Sequence, residues 1–425
     1  MKLFSVNKNS ELLLRAKWVC PVVASPIENG AVLVSGGRIE EVGKFPELKI
    51  KARNFLDLGE VVLIPGLINS HAHVELSFLK QFKSKLFSAG KRGFTSWVRA
   101  LVELKDKFFL QKNSENEFLS SAFDTLKKFF NQGVIALGDI ANSLTILKAY
   151  EKVREAGIRF KGFLFWEQIG FGSQVSKKLK SAVEEKNEPL KLSLSCHAPH
   201  TVLPEVIKSV KEICKDFGLP FSIHCAESLE ELEFLKTGEG SWKEFLLSRG
   251  IDLSRFTPPG IGSVEYLSNL GVLDGNTLLV HCTFASNQDI EFIKRASAWV
   301  CVCPTSNLLL SGRLPDVEGM LKAGIPLLIG TDSVASSKSL DLWTELKVLL
   351  ESCPRVSPLE LFKTATLNAG RFFRLPLGYI GKGAKPPLLG IELLEDGTTR
   401  KTDIFRHLII SKKRIRYIIY EKESS

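Results

Sequence analysis

The spacing of apolar and polar positions changes repeatedly between about residues 65 and 370. Short segments dense in Val, Ile, Leu and Phe have the composition of strands buried on both faces, and they occupy residues 66–73, 133–140, 158–166, 191–198, 220–227, 276–283, 298–304 and 325–333. The intervening segments carry apolar residues at helical spacing, and two of them end at Gly133 and Gly324, as helices often do. Repeated alternation of strand and helix predicts an α/β fold, a (β/α)8 barrel of the TIM type.

Both chain ends are predicted to be β-rich. Residues 30–43 have the pattern of a hairpin that turns at Ser35, Gly36 and Gly37, and residues 405–421 have the pattern of another. The simplest arrangement is a small β-sandwich domain formed jointly by residues 1–64 and 373–425. The barrel domain then covers residues 65–372.

Two connecting segments are longer than a plain barrel requires. Residues 74–116 follow the first predicted strand, and residues 228–275 follow the fifth. Both leave from carboxyl ends of strands, where barrels of this type build their active sites. Long segments in a compact domain are usually functional, so we expect both to take part in the site.

The composition is that of a soluble globular enzyme. Hydrophobic residues make up 44% of the 425 residues and charged residues 24%. The net charge of +10 is spread along the chain among acidic neighbours, and the densest basic run is residues 411–416. We interpret the charge as a solvated surface with weak attraction for anionic substrates, which argues against a nucleic-acid partner.

Targeting signals and disulfide patterns are not apparent. The first residues lack a long apolar stretch with a small-residue cleavage site, and no apolar run approaches the length of a membrane span. The eight cysteines lie in predicted core segments rather than in a disulfide framework. We therefore expect a reduced, cytoplasmic protein with no membrane partner.

The histidines concentrate at the carboxyl ends of the predicted strands. The chain has seven histidines, and two of them, His71 and His73, stand two residues apart on the first strand, where alternate residues share a face. Such a pair alone also suits a polar turn. His224, His281 and Asp332 end later strands, however, and imidazole with carboxylate is the ligand set of a hydrolytic Zn(II) or Fe(II) site.

An acid follows the fifth strand. Glu227 lies three residues beyond His224. In that place it could shuttle a proton from an activated water to a leaving nitrogen. The alternative is an acid that favours the start of the next helix. The other residues at the strand ends favour the proton shuttle.

Taken together, these segments identify a family. They are "PGLINSHAH", "HAPHT", "HCAES", "LVHC", "PTSNLLL" and "GTDSVAS". In this order and spacing they resemble the amidohydrolase superfamily, and more narrowly its cytosine-deaminase-like and chlorohydrolase-like branch. That branch includes deaminases of S-adenosylhomocysteine, methylthioadenosine, guanine and aminodeoxyfutalosine. The resemblance spans about residues 10 to 375.

The resemblance implies roles for individual residues. The implied ligands of one divalent metal, Zn(II) or alternatively Fe(II), are His71, His73, His224 and Asp332. Glu227 matches the proton shuttle, His281 the histidine that orients the water and polarises the substrate, and Asp332 also the base that first takes the proton of the water. His197 and Ser336 match positions that contact the substrate. Many relatives have tyrosine where this chain has His200, so the role of His200 as a substrate contact stays open.

Two departures bear on the prediction. Relatives with two metals need a lysine at a strand end, but Lys161 and Lys191 stand at the starts of their strands, which favours a single metal. The segment 378–390 begins like the glycine-rich stretch that follows the barrel in relatives and then diverges. This departure concerns the small domain rather than the chemistry.

The substrate is predicted to be an adenine nucleoside. Glu227 and His281 fit attack of a metal-bound hydroxide at purine C6 with release of ammonia. Phe94 and Trp97, three apart in the first long segment, would cover the base, or alternatively only pack that segment on the barrel. "HVELS" followed by F-x-x-W resembles a subgroup that includes aminodeoxyfutalosine deaminases of menaquinone biosynthesis. A 5′ carboxylate would meet Arg92, Arg99 or Arg313, each equally explained as surface.

Other functions remain open. S-adenosylhomocysteine and methylthioadenosine are the next substrates, and another amidohydrolase activity on a ring amide, guanine or a chlorinated triazine is a further alternative. A non-catalytic metal-binding descendant would have lost ligands, and none is lost here. We thus expect a hydrolase with a small-molecule purine nucleoside as partner, and a homodimer stays open.

Overall fold

The computed structural model describes residues 1–7, 11–171, 177–184, 190–393 and 404–422. The strands are β1 (Lys2–Asn7), β2 (Leu12–Val19), β3 (Ile27–Ser35), β4 (Arg38–Lys44), β5 (Phe55–Asp57), β6 (Val62–Pro65), β7 (Leu67–Ala72), β8 (Val134–Ala141), β9 (Lys161–Gln168), β10 (Lys191–Cys196), β11 (Phe221–Cys225), β12 (Thr277–His281), β13 (Trp299–Val302), β14 (Leu327–Ile329), β15 (Leu388–Leu393) and β16 (Lys413–Lys422).

The helices connect and surround these strands. The α-helices are α1 (Phe45–Lys49), α2 (Lys83–Gly90), α3 (Phe94–Phe109), α4 (Ser114–Asn131), α5 (Leu147–Glu155), α6 (Lys177–Glu184), α7 (Pro204–Asp216), α8 (Leu229–Thr237), α9 (Ser241–Ser248), α10 (Ser263–Asn269), α11 (Asn287–Arg295), α12 (Pro304–Ser311), α13 (Val317–Lys322), α14 (Leu342–Ser352), α15 (Pro358–Thr364), α16 (Leu367–Phe372) and α17 (Ile404–Ile410). Two 3-10 helices, Val74–Phe82 and Leu144–Ile146, complete the described elements.

Strands β7 to β14 form a parallel barrel. In the described part of the chain they make one eight-stranded sheet in sequence order, and Ala72 pairs with Asp332 to join its first and last members. The backbone nitrogens of Thr331 and Asp332 both donate to the carbonyl oxygen of His71, at 3.0 and 3.1 Å. Each of the eight segments predicted as a strand overlaps one of these strands, which confirms the TIM-type barrel.

The barrel brings the carboxyl ends of its strands together. Cys225 pairs with His281 across β11 and β12, so the residues that end neighbouring strands lie side by side. Both long segments fold into helices: residues 74–116 form the longer 3-10 helix, α2, α3 and the start of α4, and residues 228–275 form α8, α9 and α10. These helices leave from the same ends of the strands as the histidines.

A second sheet draws on both chain ends, as predicted. Its order is β1-β16-β15-β6-β2-β3-β4, with β5 paired to β2. The β3–β4 hairpin turns at Gly36 and Gly37, whose φ angles of +59° and +73° are those that a two-residue hairpin turn requires. The core packed against this sheet includes the fully buried side chains of Leu14, Val32 and Ile419.

The hairpin predicted over residues 405–421 is wrong in its first half. Residues 404–410 form α17, and only Lys413–Lys422 is a strand. The buried side chains Phe405, Leu408 and Ile409 follow helical spacing, i, i+3 and i+4, so a helix buries all three on one face.

The chain divides into two compact units. One comprises Met1–Ile68, Phe129–Ala136 and Leu342–Ser425, and the other Asn69–Lys128 and Leu137–Asp341. The domain boundaries expected from the sequence, after residues 64 and 372, stay a prediction. The candidate site described below lies entirely within the second unit.

Two further expectations can be compared with the structure. All eight cysteines are buried, and the described residues form no disulfide. Within the described ranges, every helix is too short or too polar to cross a bilayer.

We predict that Gly330→Ala destabilises the barrel at its closure. A β-carbon at Gly330 would lie 2.6 Å from the carbonyl oxygen of His71 and 3.0 Å from its backbone nitrogen, which is closer than packed atoms approach. The two strands must shift to relieve this overlap, and the shift should lower the free energy of unfolding by about 1–3 kcal/mol. Urea denaturation measures this change. The control is Gly275→Ala, whose β-carbon would have its nearest neighbour at 3.9 Å. Equal midpoints for the two variants would contradict the prediction.

Candidate active site

Four predicted metal ligands meet at the carboxyl ends of the barrel strands. We call His71, His73, His224 and Asp332 the ligand cluster. The Nε2 atoms of His71 and His73 lie 3.2 Å apart, and they lie 3.7 and 3.6 Å from Oδ1 of Asp332. Ligand atoms about 2.1 Å from one ion at tetrahedral angles lie about 3.4 Å from each other. The spacing of these donor atoms therefore fits a single divalent ion.

His224 is the third histidine of the ligand cluster, and its Nε2 is the nitrogen that can bind a metal. Nδ1 of His224 donates to the carbonyl oxygen of His197 at 2.7 Å, so its Nε2 carries the lone pair. The rings of His71 and His224 lie 5.0 Å apart between centroids. Burial lowers the pKa of His224 well below its ordinary value, and burial with the neighbouring His71 lowers the pKa of His73 to about 3. Both rings are therefore neutral at pH 7, as metal ligands must be.

Backbone strain concentrates at these strand ends. Ala226, His281 and Asp332 have φ angles of +50°, +75° and +55°, in the left-handed region that residues with a β-carbon rarely adopt. Such a conformation costs about 1–3 kcal/mol per residue and persists only where surrounding bonds impose it. Here Asp332 is held by its backbone bond to His71. Strain of this kind is typical of functional sites.

Glu227 faces His281. Its Oε1 lies 3.3 Å from Nε2 of His281. Burial raises the pKa of Glu227 well above its ordinary value, and burial lowers the pKa of His281 to about 3. Ser228 caps helix α8 by accepting from the backbone nitrogen of Glu231, so Glu227 precedes the helix rather than lying in its first turn.

Asp332 is held on its other oxygen by two serines. Ser306 and Ser336 both donate to Oδ2 at 2.6 Å. Burial alone would raise the pKa of Asp332, but the imidazole of His71, then those of His73 and His281, hold that pKa well below its usual range. Ser336 is thus placed behind Asp332 and outside the cavity wall. Its predicted contact with substrate stays a prediction, whereas Ser306 had no role in the sequence analysis.

A cavity of 340 Å³ opens beside the ligand cluster. Its wall contains His73, His224, Asp332, Glu227, His281 and His197, and the aromatic rings of Phe94, Trp97, Phe171, Trp242 and Phe245. Trp97 donates through Nε1 to the carbonyl oxygen of Ala335 at 3.0 Å, and its ring lies 5.7 Å from that of Phe94. Both predicted loop aromatics therefore line the cavity on α3.

Known proteins share this architecture. The sequence profile of the Amidohydrolase family matches residues 62–408. The chain belongs to the amidohydrolase family. This match confirms the predicted family and the prediction of a hydrolytic enzyme.

Individual relatives cover most of the chain. This amidohydrolase is 25% identical to the 5-methylthioadenosine/S-adenosylhomocysteine deaminase of Moorella thermoacetica, over 95% of this chain and 90% of the relative. It is 30% identical to an adenosine deaminase of Helicobacter pylori, over 79% of each chain. Its fold is similar to that of the aminofutalosine deaminase of Helicobacter pylori in complex with methylthio-coformycin, with a TM-score of 0.79 and 24% identity over 96% of this chain and 98% of that one.

Two further histidines of the amidohydrolase have different surroundings. His197 lines the cavity, and its Nδ1 lies 2.8 Å from Oγ1 of Thr201. His200 lies outside the cavity wall, packed edge-on against the ring of Trp242 at 4.7 Å. Neither ring nitrogen of His200 has a hydrogen-bond partner among the described residues. The contact predicted between His200 and substrate stays a prediction.

The sequence analysis missed a polar part of the cavity wall. Oε2 of Glu167, at the end of β9, accepts from Nδ2 of Asn142 at 2.8 Å, and Nζ of Lys105 donates to Oδ1 of Asn142 at 3.2 Å. Oε1 of Glu167 is buried without a hydrogen-bond partner in the described ranges and lies 3.8 Å from Nδ1 of His224. Burial raises the pKa of Glu167 to about 8. The sequence signal that could have identified Glu167 was a carboxylate near the end of a strand, whereas the sequence analysis considered only a lysine in that position.

The cations of the cavity differ from those predicted. Arg92 donates to Ser88, Arg99 donates to Ser248, and Arg313 lies over the ring of Phe284, so each lies outside the cavity wall. The wall instead contains Lys105 and Arg249. Arg249 also pairs with Asp106 at 2.8 Å.

We predict that His200→Phe reduces the loss of folding stability at acid pH. Burial lowers the pKa of His200 to about 3, whereas an exposed histidine titrates near 6.5. Between these values the unfolded chain binds the extra proton, so stability falls as the pH falls below 6.5. Removal of this histidine should reduce the stability lost between pH 7 and pH 5 by about 2 kcal/mol.

Urea unfolding at pH 5 and pH 7, with equal zinc for both proteins, measures this difference. Phenylalanine keeps a ring against Trp242, so the packing is matched. Parallel losses of stability in the wild type and the variant would show that His200 contributes nothing to acid unfolding.

Proposed function

We propose that this amidohydrolase is a metal-dependent deaminase of an adenine nucleoside, releasing ammonia from purine C6. The observation that carries the proposal is the pair formed by Glu227 and His281, with Oε1 and Nε2 3.3 Å apart, in the wall of the cavity that also contains the ligand cluster. The curated names of the relatives, adenosine deaminase and 5-methylthioadenosine/S-adenosylhomocysteine deaminase, support it.

The ligand cluster would hold the metal. Three imidazoles and one carboxylate suit Zn(II), and Fe(II) is the alternative. Zinc is bound in a structure of similar fold, the atrazine chlorohydrolase of Arthrobacter aurescens, at a TM-score of 0.77 and 17% identity over 96% of this chain and 94% of that one. When bound, the metal supplies Lewis acidity that lowers the pKa of a water molecule toward 7.

The protein residues move the protons. Asp332, whose low pKa keeps it ionised, accepts a proton from the attacking water. Glu227, whose raised pKa lets it carry a proton near neutral pH, delivers one to the ring nitrogen beside C6. It then takes the proton of the hydroxyl formed on C6 and passes it to the leaving amine, and the proton held by Asp332 restores Glu227 for the next turnover. His281 donates through Nε2 to the oxygen that adds to C6. The C6–O bond forms, the C6–N bond breaks, and water and amine become the keto group and ammonia.

The cavity wall suits a nucleoside with an anionic 5′ substituent. Phe94, Trp97 and Trp242 offer flat apolar surface to a purine. Lys105 and Arg249 supply positive charge in the same wall. These features support aminodeoxyfutalosine, an intermediate of menaquinone biosynthesis, as the leading substrate. S-adenosylhomocysteine and methylthioadenosine follow. A cytoplasmic location and a homodimer stay predictions.

We predict that Glu227→Gln abolishes deamination without loss of metal. The amide keeps the shape of the side chain but cannot carry the proton, so kcat should fall by about 100-fold to 10000-fold. The zinc-loaded protein is given adenosine, methylthioadenosine, S-adenosylhomocysteine, aminodeoxyfutalosine, guanine and cytosine. Ammonia release and the absorbance change from adenine to hypoxanthine report turnover, and metal analysis reports occupancy.

The outcomes separate the hypotheses. Turnover of one adenine nucleoside identifies the 5′ group. Turnover of guanine or cytosine alone would replace the adenine substrate by another ring. If the metal-loaded wild type turns over no compound of the panel, the proposed deaminase activity is wrong. Ring amides and chlorinated triazines are then the substrates to test.

We predict that Glu167→Gln discriminates substrates by their sugar hydroxyls. Glu167 is part of the cavity wall, and its buried Oε1 has no hydrogen-bond partner among the described residues, so a ribose hydroxyl that reaches it would donate to it. Its raised pKa keeps Glu167 mostly uncharged near pH 7, where a hydrogen bond contributes about 0.5–1.5 kcal/mol, so kcat/KM for adenosine should fall by about 2-fold to 10-fold. 2′,3′-Dideoxyadenosine lacks the donors and should keep an unchanged kcat/KM. Equal losses for both substrates would exclude a sugar contact.

A further inference from the structure

His281 can be neutral with its proton on either ring nitrogen, and the neighbour of Nδ1 decides between the two forms. That neighbour is Asn307, whose Nδ2 lies 3.2 Å from Nδ1 of His281. Both side chains are buried, at 1% exposure. The orientation of one buried amide therefore controls what His281 presents to the cavity.

The orientation of the Asn307 amide follows from its other contacts. Its Oδ1 lies 3.2 Å from the backbone nitrogen of Cys303, which can only donate. The amide nitrogen must therefore point the other way, where it donates to Oγ1 of Thr283 at 2.6 Å and has its second hydrogen for His281. An inverted amide would place its NH2 group against the Cys303 N–H and leave two buried donors facing each other.

The local structure explains why an asparagine occupies this position. Helix α12 begins at Pro304, so the N–H of Cys303 lies at the helix N-terminus, where backbone donors lack partners within the helix. The side chain of Asn307 folds back to accept from it. One side chain thus closes a helix end and, through its other atom, contacts His281 on the neighbouring strand β12.

The consequence at the other ring nitrogen is a hydrogen-bond donor. With Nδ1 accepting from Asn307, the proton of neutral His281 is on Nε2, which faces Oε1 of Glu227 at 3.3 Å. Nitrogen atoms of His71, His224 and His281 lie within 4.8 Å of one another, so His281 is close enough to compete for a metal. With its proton on Nε2, however, His281 has no lone pair on that nitrogen to offer. A ring with the opposite tautomer would compete as a further metal ligand.

We propose that Asn307 is a positioning residue that fixes His281 in the Nε2–H tautomer. In this form His281 is a donor to the reacting oxygen and stays outside the metal-ligand set. The catalytic part of this inference rests on the proposed deaminase, but the tautomer itself does not. Asn307 acts through His281 and lies outside the cavity wall.

The test is Asn307→Asp in the zinc-loaded enzyme. A carboxylate can only accept, so it should move the proton of His281 to Nδ1 and leave a lone pair on Nε2. Nitrogen-15 NMR of histidine-labelled protein distinguishes protonated from unprotonated ring nitrogens, and the signals of His281 are assigned by their loss in His281→Gln. We expect the proton on Nε2 in the wild type and on Nδ1 in the variant. A wrong tautomer at a catalytic histidine is costly, so kcat should fall by about 100-fold or more while KM stays within about threefold.

Thr283→Val is the matched control. It removes the other acceptor of the same amide nitrogen and leaves the contact with His281 intact. We expect it to keep the Nε2 proton and to retain kcat within about threefold. An unchanged tautomer in Asn307→Asp would overturn the inference, and so would a loss of kcat in Thr283→Val as large as that in Asn307→Asp. If no substrate is turned over, the proposed function fails, whereas the NMR comparison still decides the role of Asn307.

Discussion

The candidate site depends on the backbone hydrogen bonds that close the barrel. The carbonyl oxygen of His71 accepts from the backbone nitrogens of both Thr331 and Asp332. These bonds place the first and last strands side by side although they lie far apart in the sequence. The ligand atoms of His71 and Asp332 then approach to 3.7 Å. Strain at Asp332, with φ of +55°, is tolerated because the same bonds hold its backbone.

Different neighbours then give the two buried central carboxylates opposite properties. Asp332 accepts from Ser306 and Ser336 and lies among imidazoles, and its pKa is held well below the usual range. Glu227 has the His281 ring on one side, and burial raises its pKa well above the ordinary value. Two acids whose pKa values are pushed apart can work as base and acid in one reaction. The difference arises from surroundings rather than residue type.

The strands and the ligand cluster could be predicted because their signals are local. A strand buried on both faces is apolar throughout, and a parallel barrel gathers its carboxyl ends at one side, so His224 and Asp332 could be placed from sequence position alone. The helix at 404–410 was missed because its run of apolar residues fits the two-residue period of a strand as well as the 3.6-residue period of a helix. Arg249 and Arg99 could not be distinguished, since only tertiary contacts decide which arginine reaches the cavity.

Asn307 and Glu167 show why the remaining site residues escape sequence analysis. Each contacts a histidine on a separate strand of the barrel, and neither residue type signals its partner. The cavity wall adds a second layer of such contacts, because α3 and α9 lie outside the sheet. They are tied to each other by Thr95 and Ser241 at 3.0 Å and near their ends by Asp106 and Arg249 at 2.8 Å. Substitutions on these helices can change the wall around a substrate while the barrel bonds keep the reacting groups in place. The proposed reacting groups therefore lie at the strand ends of the barrel, and part of the cavity wall lies on separate helices of the same unit.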